Sequence, residues 1–545
     1  MGNIKNQSWD YIVIGTGMGG ATAGLELARR GASVLFLEMG QSHLDSRHTL
    51  SGNFAETFLD SQKMREQPDT HRRETLISAG RYCRPIEDSS NPAKPKRFIP
   101  FIGSGTGGST ALYGMALERF FPADFQGGTI GAANASDDQW PLSYSDIAPY
   151  YASAETLFRV RGGQDPLREA TAADYAAAPP LSNANELMSN ALAAKGLHPY
   201  QLPMACEFVP DCATCQSYLC TKGCKVDASV CVRLAVDNHR AELLDHCEVT
   251  LIEANEAQAT AVQCTREGET FTLSANRLIL AAGALETPSL LLRSTSAAWP
   301  NGLANQNDQV GRNLMRHYVD LYAVFTSPKP NPSQRTKEIA FNDFYLRGDE
   351  KLGSVQSFGL LPPAKELADE IASDVRHTAG AIAGALFKVV KPLVALVLGQ
   401  IFSRTLILAS TLEDQPFDDN RVTLKPAKGN PDKHEIHIHY VVRDSEKSRI
   451  EKMRTLMKTA LKPMRFLLLK QAENNERLAH VCGTARMGHN PKTSVCDENQ
   501  KAHGIDNLYI ADGSVFPSSG GINPSLTIAA LSLRLAKHLE ANENV

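Results

Sequence analysis

The chain has 545 residues, 42% of them hydrophobic and 21% charged, and 56 Lys and Arg against 60 Asp and Glu leave a net charge of −4. That length exceeds one small core and suits two packed domains. The charge balance excludes a basic nucleic-acid binder, since no basic stripe interleaves with aromatics, and the opening MGNIKNQSWD lacks a charged-then-apolar leader, which predicts a cytoplasmic protein.

In chain order, the first element is the most specific. Tyr11–Ile14 reads as a short buried strand that runs into Gly15-Thr16-Gly17-Met18-Gly19-Gly20, followed by an Ala-rich helical pattern through Arg30. In such a unit Gly15 makes a turn that a side chain would block. Gly17 lets backbone approach a pyrophosphate, and Gly20 lets helix and strand pack closely. The helix N-terminus adds free N–H groups and the positive end of its dipole. A second strand, Val34–Leu37, ends at Glu38, where such a unit places an acid on a ribose hydroxyl. The pattern predicts a dinucleotide without separating FAD from NAD. Residues 41–97 are polar and loop-rich, and Gly103–Met115 (GSGTGGSTALYGM) is a second glycine-rich block.

Six of the 11 cysteines fall between Cys206 and Cys231. Within them Cys212, Cys215, Cys220 and Cys224 have ligand-like spacing, which suits an iron–sulfur cluster or a structural zinc. Without a secretory leader the thiols stay reduced, which leaves metal binding or plain burial. Further on, Leu278–Ala282 reads as a strand leading into Gly283–Ser294 (GALETPSLLLRS), and Val310–His317 reads VGRNLMRH. The segment 379–399 is strongly apolar, but Lys388, Lys391 and Pro392 argue against a spanning helix. Two apolar helices joined at Pro392 are predicted, as a buried hairpin or as an interfacial patch in peripheral contact with a membrane. His434–Val442 alternates like a strand, and Ser445–Leu469 reads as one long helix. Near the end come His480–Gly488 (HVCGTARMG), a strand at Asn507–Ala511, and Asn523-Pro524 at the head of a helix to about Leu539. Asn before Pro suits an N-cap with Pro at the first helical position.

These blocks, in this order, resemble the signatures of the glucose–methanol–choline (GMC) oxidoreductases. The resemblance implies FAD and an α/β fold: an FAD-binding Rossmann-like domain on a parallel sheet, interleaved with an α+β substrate domain built on an antiparallel sheet. Segments 1–120, 205–320 and 475–545 then belong mainly to the FAD domain, and 121–204 and 321–474 mainly to the substrate domain. Cofactor contacts fall to Gly15, Gly17, Gly20, Glu38, Gly107, Gly108, Ser109, Asp512, Gly513 and Pro524. His480 maps onto the family's general base at the flavin and Asn523 onto its partner, while His317 more plausibly supports the cofactor.

Tyr113 departs from the Asn or His that many relatives carry, and with no His in that block the FAD is expected to be non-covalent. The Cys212, Cys215, Cys220 and Cys224 spacing is similar to that of the flavin subunit of bacterial multi-subunit glucose dehydrogenases, which holds an iron–sulfur cluster. The implied reaction is hydride transfer from an alcohol to flavin N5, with electrons passing on to a quinone, a cytochrome, a partner protein or oxygen. The apolar segment 379–399 favours an apolar alcohol such as a steroid, terpenoid or long-chain alcohol. A sugar dehydrogenase subunit with a cluster, an oxygen-using alcohol oxidase and a flavin-containing lyase stay open as alternatives.

Overall fold

The computed structural model describes residues 4, 7–45, 50, 52–60, 62–126, 139–168, 175–326, 335–348, 350–359, 363–427, 430–476 and 478–541. Strand Trp9–Ile14 lies at the centre of a five-stranded sheet, with Ala275–Leu280 and then Leu508–Ile510 on one side. Val34–Leu37 and then Ala241–Leu244 lie on the other, and every neighbouring pair is parallel. Tyr11, Ile12 and Val13 are fully buried, as a strand covered on both faces must be. Helix Met18–Arg29 follows the first strand directly and packs against the last helix, Ser525–Ala541.

A second, antiparallel sheet has six strands in the order Phe466–Leu469, Tyr318–Phe325, Thr405–Leu412, Gly353–Ser357, Ile339–Phe341 and Tyr200–Gln201. The fold is therefore the expected α/β arrangement, a parallel sheet interleaved in sequence with an antiparallel one. The two meet where Met315 pairs with Cys482 and the His317 N–H donates to the carbonyl of Ala479, just before strand Tyr318–Phe325 begins. Segment 479–482 is held at that junction.

Three sequence readings change. Ser445–Leu469 is not one helix: helix Asp444–Leu461 stops, and Phe466–Leu469 is an edge strand. Pro463 supplies no N–H and its ring obstructs a preceding turn. The 41–97 region contains helix Pro68–Ser78, with Pro68 in its first turn and Asp69 facing the positive end of its dipole. The apolar segment does not break at Pro392 either, since helical backbone runs from Ala364 to Phe402. That run nevertheless folds back on itself. A Cβ at Gly399 would stand 3.8 Å from Cβ of Ala364, whereas 35 steps of a straight helix would hold the two about 52 Å apart. The side chains of 376–382 lie outside the described residues.

Candidate functional site

The first part of the site is made of backbone. Gly15 has φ +98°, and a Cβ there would stand 2.4 Å from the carbonyl oxygen of Ala281. A Cβ at Gly20 would meet the Gly15 carbonyl oxygen at 2.2 Å, so this glycine does permit helix to lie on strand. Gly17 has open space around its Cβ position. It precedes a helix with no side-chain cap and no acid in its first turn, so the positive helix end is left to an anion. The second glycine block lies on the first: the Gly107 N–H donates to the Thr16 carbonyl at 3.1 Å, and a Cβ at Gly108 would come 2.9 Å from Cα of Gly17. Ser109 Oγ accepts from the Gly103 N–H at 3.0 Å and shapes the same loop.

Glu38 joins these loops. One carboxylate oxygen accepts from Thr16 N and Oγ1 at 3.1 and 2.6 Å, the other from the N–H of Gly40 and Gly105 at 2.9 and 3.0 Å. Four donors fill a carboxylate's usual capacity, so a ribose hydroxyl would share Glu38 with them. Beside Gly105 stands His43, which the motif reading missed. Its ring nitrogens are enclosed without a partner among the described residues, and burial holds its pKa down at about 4. Asp512 closes the cradle from the C-terminal segment, accepting from Gly283 N, Thr287 Oγ1 and Ser514 N at 2.9, 2.6 and 2.8 Å. The carbonyl of Gly513 takes the N–H of Gly483, which ties this turn to the segment carrying His480. Uncapped helix end, paired glycine loops and an unpartnered imidazole fit a dinucleotide such as FAD.

The second part is made of side chains. His480 sits in the left-handed region, φ +58°, a conformation that costs a non-glycine residue energy and recurs at functional sites. Its Nδ1 lies 2.8 Å from Nδ1 of His317, and its Nε2 lies 3.3 Å from Nδ2 of Asn523. The hydrogen-bond chain fixes both tautomers. Nε2 of His317 faces the carbonyls of Gly520 and Ser519 at 2.8 and 3.2 Å. Carbonyls only accept, so that nitrogen carries the proton and Nδ1 of His317 carries a lone pair. His480 therefore donates from Nδ1 and presents an unprotonated Nε2 toward Asn523. Burial, reinforced by His317 and Lys337, holds the pKa of His480 well below the usual imidazole range. Burial also lowers that of His317 to about 4, against the opposing pull of the two carbonyls. Both rings are neutral near pH 7.

Asn523 does not cap the last helix. The helix starts at Ser525, and the N–H of Ile528 reaches back to the Pro524 carbonyl, so Pro524 precedes the first helical residue. The freed amide accepts from Nε2 of Gln356 at 2.9 Å and offers Nδ2 to His480. Gln356 was invisible to motif reading, because it arrives from strand Gly353–Ser357 with no local signature. Lys337 is another such residue. Its Nζ is 2.5 Å from where a Cβ of Gly114 would stand, beside Oε1 of Gln216 at 2.7 Å, and burial lowers its pKa to about 8. Tyr113 turns away, its hydroxyl donating to the Val226 carbonyl at 2.5 Å.

The expected cluster ligands form a chain of contacts: Cys212 touches Cys224, Cys224 touches Cys220, and Cys220 is hydrogen-bonded to Cys215. Among the described residues the buried group of close thiols is Cys206, Cys212 and Cys224. Sγ of Cys212 lies 3.7 Å from that of Cys206 and 3.0 Å from that of Cys224. Cys215 stands outside that group, and Cys220 touches it through Cys224 alone, at 3.6 Å. Sequence spacing could not show that Cys206 folds back onto the loop, where its amide-bonded neighbours pair with Cys224–Lys225.

Comparison with known proteins agrees with the geometry. Over 568 aligned residues the chain is 28% identical to 6'''-hydroxyparomomycin C oxidase of Streptomyces lividus, covering 98% of this chain and 92% of that protein. It is 25% identical to 2-methyl-1,2-propanediol dehydrogenase of Mycolicibacterium austroafricanum, with 97% and 95% covered. Among solved structures, pyridoxine 4-oxidase from Mesorbium loti superposes with a TM-score of 0.62 at 18% identity, over 98% of this chain and 99% of that one. A formate oxidase variant from Aspergillus oryzae RIB40, studied for FAD modification, gives a TM-score of 0.66 at 15% identity, with 99% of each covered. Residues 9–319 and 416–532 match the two sequence profiles of GMC oxidoreductase, and with the dinucleotide cradle and the His480 cluster at their expected places, the chain belongs to the GMC oxidoreductase family.

Proposed function

We propose that this FAD-dependent oxidoreductase converts the hydroxyl-bearing carbon of a small polar alcohol to a carbonyl, with His480 as general base. The observation that carries the reading is the hydrogen-bond chain that leaves Nε2 of His480 unprotonated at the junction of the two sheets. FAD, held non-covalently, supplies the hydride acceptor. Gly15, Gly17, Gly20, Gly107, Gly108, Ser109, Asp512, Gly513 and Pro524 hold it, with Glu38 bracing the loops. Nε2 of His480 takes the hydroxyl proton. Asn523 Nδ2 donates to the substrate oxygen, and Gln356 fixes the amide's orientation. His317 keeps a lone pair on the Nδ1–H of His480, which steadies the ring as it becomes cationic.

The expectation of an apolar alcohol drew on 379–399, and the described part of that segment turns one aliphatic face to solvent. Around His480 stand His317, Asn523 with its partner Gln356, and the charge of Lys337, which support a substrate with several hydrogen-bonding groups. The named substrates of the relatives, an aminoglycoside and a diol, have that chemistry.

Anaerobic addition of polyols, amino sugars, sterols and fatty alcohols to purified protein tests the reading. A polar alcohol is expected to bleach the oxidised flavin band. His480→Ala is expected to retain FAD and to slow bleaching by about 10²–10⁴-fold, the usual share of general base catalysis. Near-normal reduction in that variant at every pH would remove His480 from the role, and turnover with the flavin staying oxidised would indicate a lyase. Peroxide formed in step with the carbonyl product identifies oxygen as the final acceptor.

A further inference from the structure

The helical arm Ala364–Phe402 has no part in the site just described. It leaves the antiparallel sheet after strand Gly353–Ser357 and returns at strand Thr405–Leu412, and these two strands are hydrogen-bonded neighbours. Its returning limb, Ala383–Phe402, is long and apolar enough to cross a membrane and has no buried stretch. Fourteen of its twenty residues are hydrophobic, two are lysines, and none is acidic. Soluble proteins seldom leave so large an aliphatic surface in water without a use for it.

The surface has a shape. At 100° per residue, Leu396, Val389, Leu393, Leu386, Val397 and Val390 occupy one continuous arc of roughly 120°, and all six are exposed, Val389 at 79% and Leu386 at 67%. The half-buried positions Ala383, Phe387, Val394 and Leu398 lie beside the arc, roughly 20° to 80° beyond Val390. Lys388 and Lys391 stand about 60° apart on the far side of the limb, roughly 80° and 100° beyond the arc's two edges. An aliphatic face with a cationic far side and no carboxylate on the limb is the pattern of a helix lying in a lipid interface, its aliphatic side chains toward the hydrocarbon and its positive charge attracted by anionic headgroups.

A crossing is excluded by the topology. Both ends of the arm enter adjacent strands of one sheet, so a single passage would put neighbours on opposite sides of the bilayer. A double passage would carry Lys365, Glu366, Asp369, Glu370, Asp374 and Arg376 of the outgoing limb through hydrocarbon. A second copy of the chain is a poorer occupant, because a helix–helix seam covers a narrower stripe than this arc.

We propose that the limb Ala383–Phe402 seats the enzyme on the surface of anionic phospholipid membranes, lying flat in the interface with Leu386, Val389, Val390, Leu393, Leu396 and Val397 facing the acyl chains.

The test is flotation of the flavin-loaded, full-length protein with vesicles of phosphatidylglycerol and phosphatidylcholine, and with phosphatidylcholine alone. Binding is expected to the mixed vesicles, and at least tenfold more weakly to the neutral ones. Combining Leu386→Ser, Val389→Ser, Leu393→Ser and Leu396→Ser is expected to cut vesicle binding at least tenfold while leaving the flavin spectrum and soluble-alcohol turnover unchanged. Lys388→Gln, which keeps the apolar face and disturbs folding least, is expected to reduce only the preference for anionic vesicles. Equal recovery of wild type and the serine variant with the mixed vesicles would overturn the proposal. So would a wild-type dimer in solution that the serine variant loses, with no vesicle binding by either.

Discussion

The glycine cradle and the His480 cluster lie a few residues apart at the C-terminal segment, yet they are built on opposite principles. In the cradle, function comes from the absence of side chains: Gly15 and Gly20 let backbone approach backbone to distances no Cβ allows. In the cluster it comes from side chains delivered by separate segments, His317 ahead of one strand, Gln356 within another, His480 and Asn523 on loops. Damage to the first should therefore act through folding and cofactor retention. Damage to the second should act on rate with the cofactor in place.

The largest effect is expected from Gly15→Ala and Gly20→Ala. Each puts a methyl within 2.4 Å of a carbonyl oxygen, and at Gly15 the left-handed backbone adds to the penalty. Both variants should yield little soluble protein, or protein without a flavin spectrum. Gly17→Ala is the control that sharpens the contrast. Its Cβ meets no protein atom within 4 Å, so the variant should fold, and its FAD affinity, read by titrating flavin fluorescence, reports on the cofactor alone. Loss of folding in Gly17→Ala would break the distinction.

Next in size is His317→Ala. It removes the lone pair that receives the Nδ1–H of His480 at 2.8 Å, so the ring loses its fixed tautomer. Anaerobic flavin reduction should slow by roughly tenfold, well short of the loss in His480→Ala, because the base itself remains. FAD content should not change. His317→Asn, which can present a carbonyl to the same N–H, should recover part of the rate. A purely structural role would lower stability in both variants without that rescue.

These two regions were not equally legible. Gly15, Gly17, Gly20 and Glu38 are contiguous enough for a strand–turn–helix pattern to specify them, since short-range backbone geometry is written in neighbouring residues. His480 and Asn523 were recognisable through resemblance of the blocks around them. Gln356, Lys337 and His43 were not, because each reaches its place through strand register or loop packing and carries no local mark. His317 was noticed but assigned to the cofactor, and its 2.8 Å contact with His480 depends on the pairing of Met315 with Cys482. Cysteine spacing has a related blind spot: it describes a loop laid out in sequence, and Cys206 joins Cys212 and Cys224 from outside the counted window. Long apolar segments mislead differently, since 379–399 has the composition of a core hairpin while Leu386, Val389, Val390, Leu393, Leu396 and Val397 are exposed.

Stability against pH offers a third, smaller test. His317 has a folded pKa of about 4 against an ordinary 6.5, and His43 behaves alike. Between those values the unfolded chain binds protons that the folded chain refuses. Stability is therefore complete above about pH 6.5 and is lost as pH falls toward 4. The melting temperature of flavin-loaded protein should decline across that window, and His317→Asn should flatten the decline relative to wild type. Parallel curves for the two proteins would show that His317 ionises as freely in the fold as outside it.

The smallest expected effect belongs to Lys337→Met, and it separates electrostatics from contact. Lys337 is buried beside Gly114 and Gln216, and its charge helps to hold His480 in the neutral form. Removing that charge lets His480 protonate at higher pH, so the acid limb of the flavin-reduction profile should move upward. At pH 8 the base is neutral in both proteins, and their rates should agree within a few fold. Below pH 6.5, on the acid limb, the variant should fall behind wild type. A uniform loss at every pH would instead mean that Lys337 touches the substrate, which would make it part of the side-chain cluster rather than a charge acting on that cluster from behind Gly114.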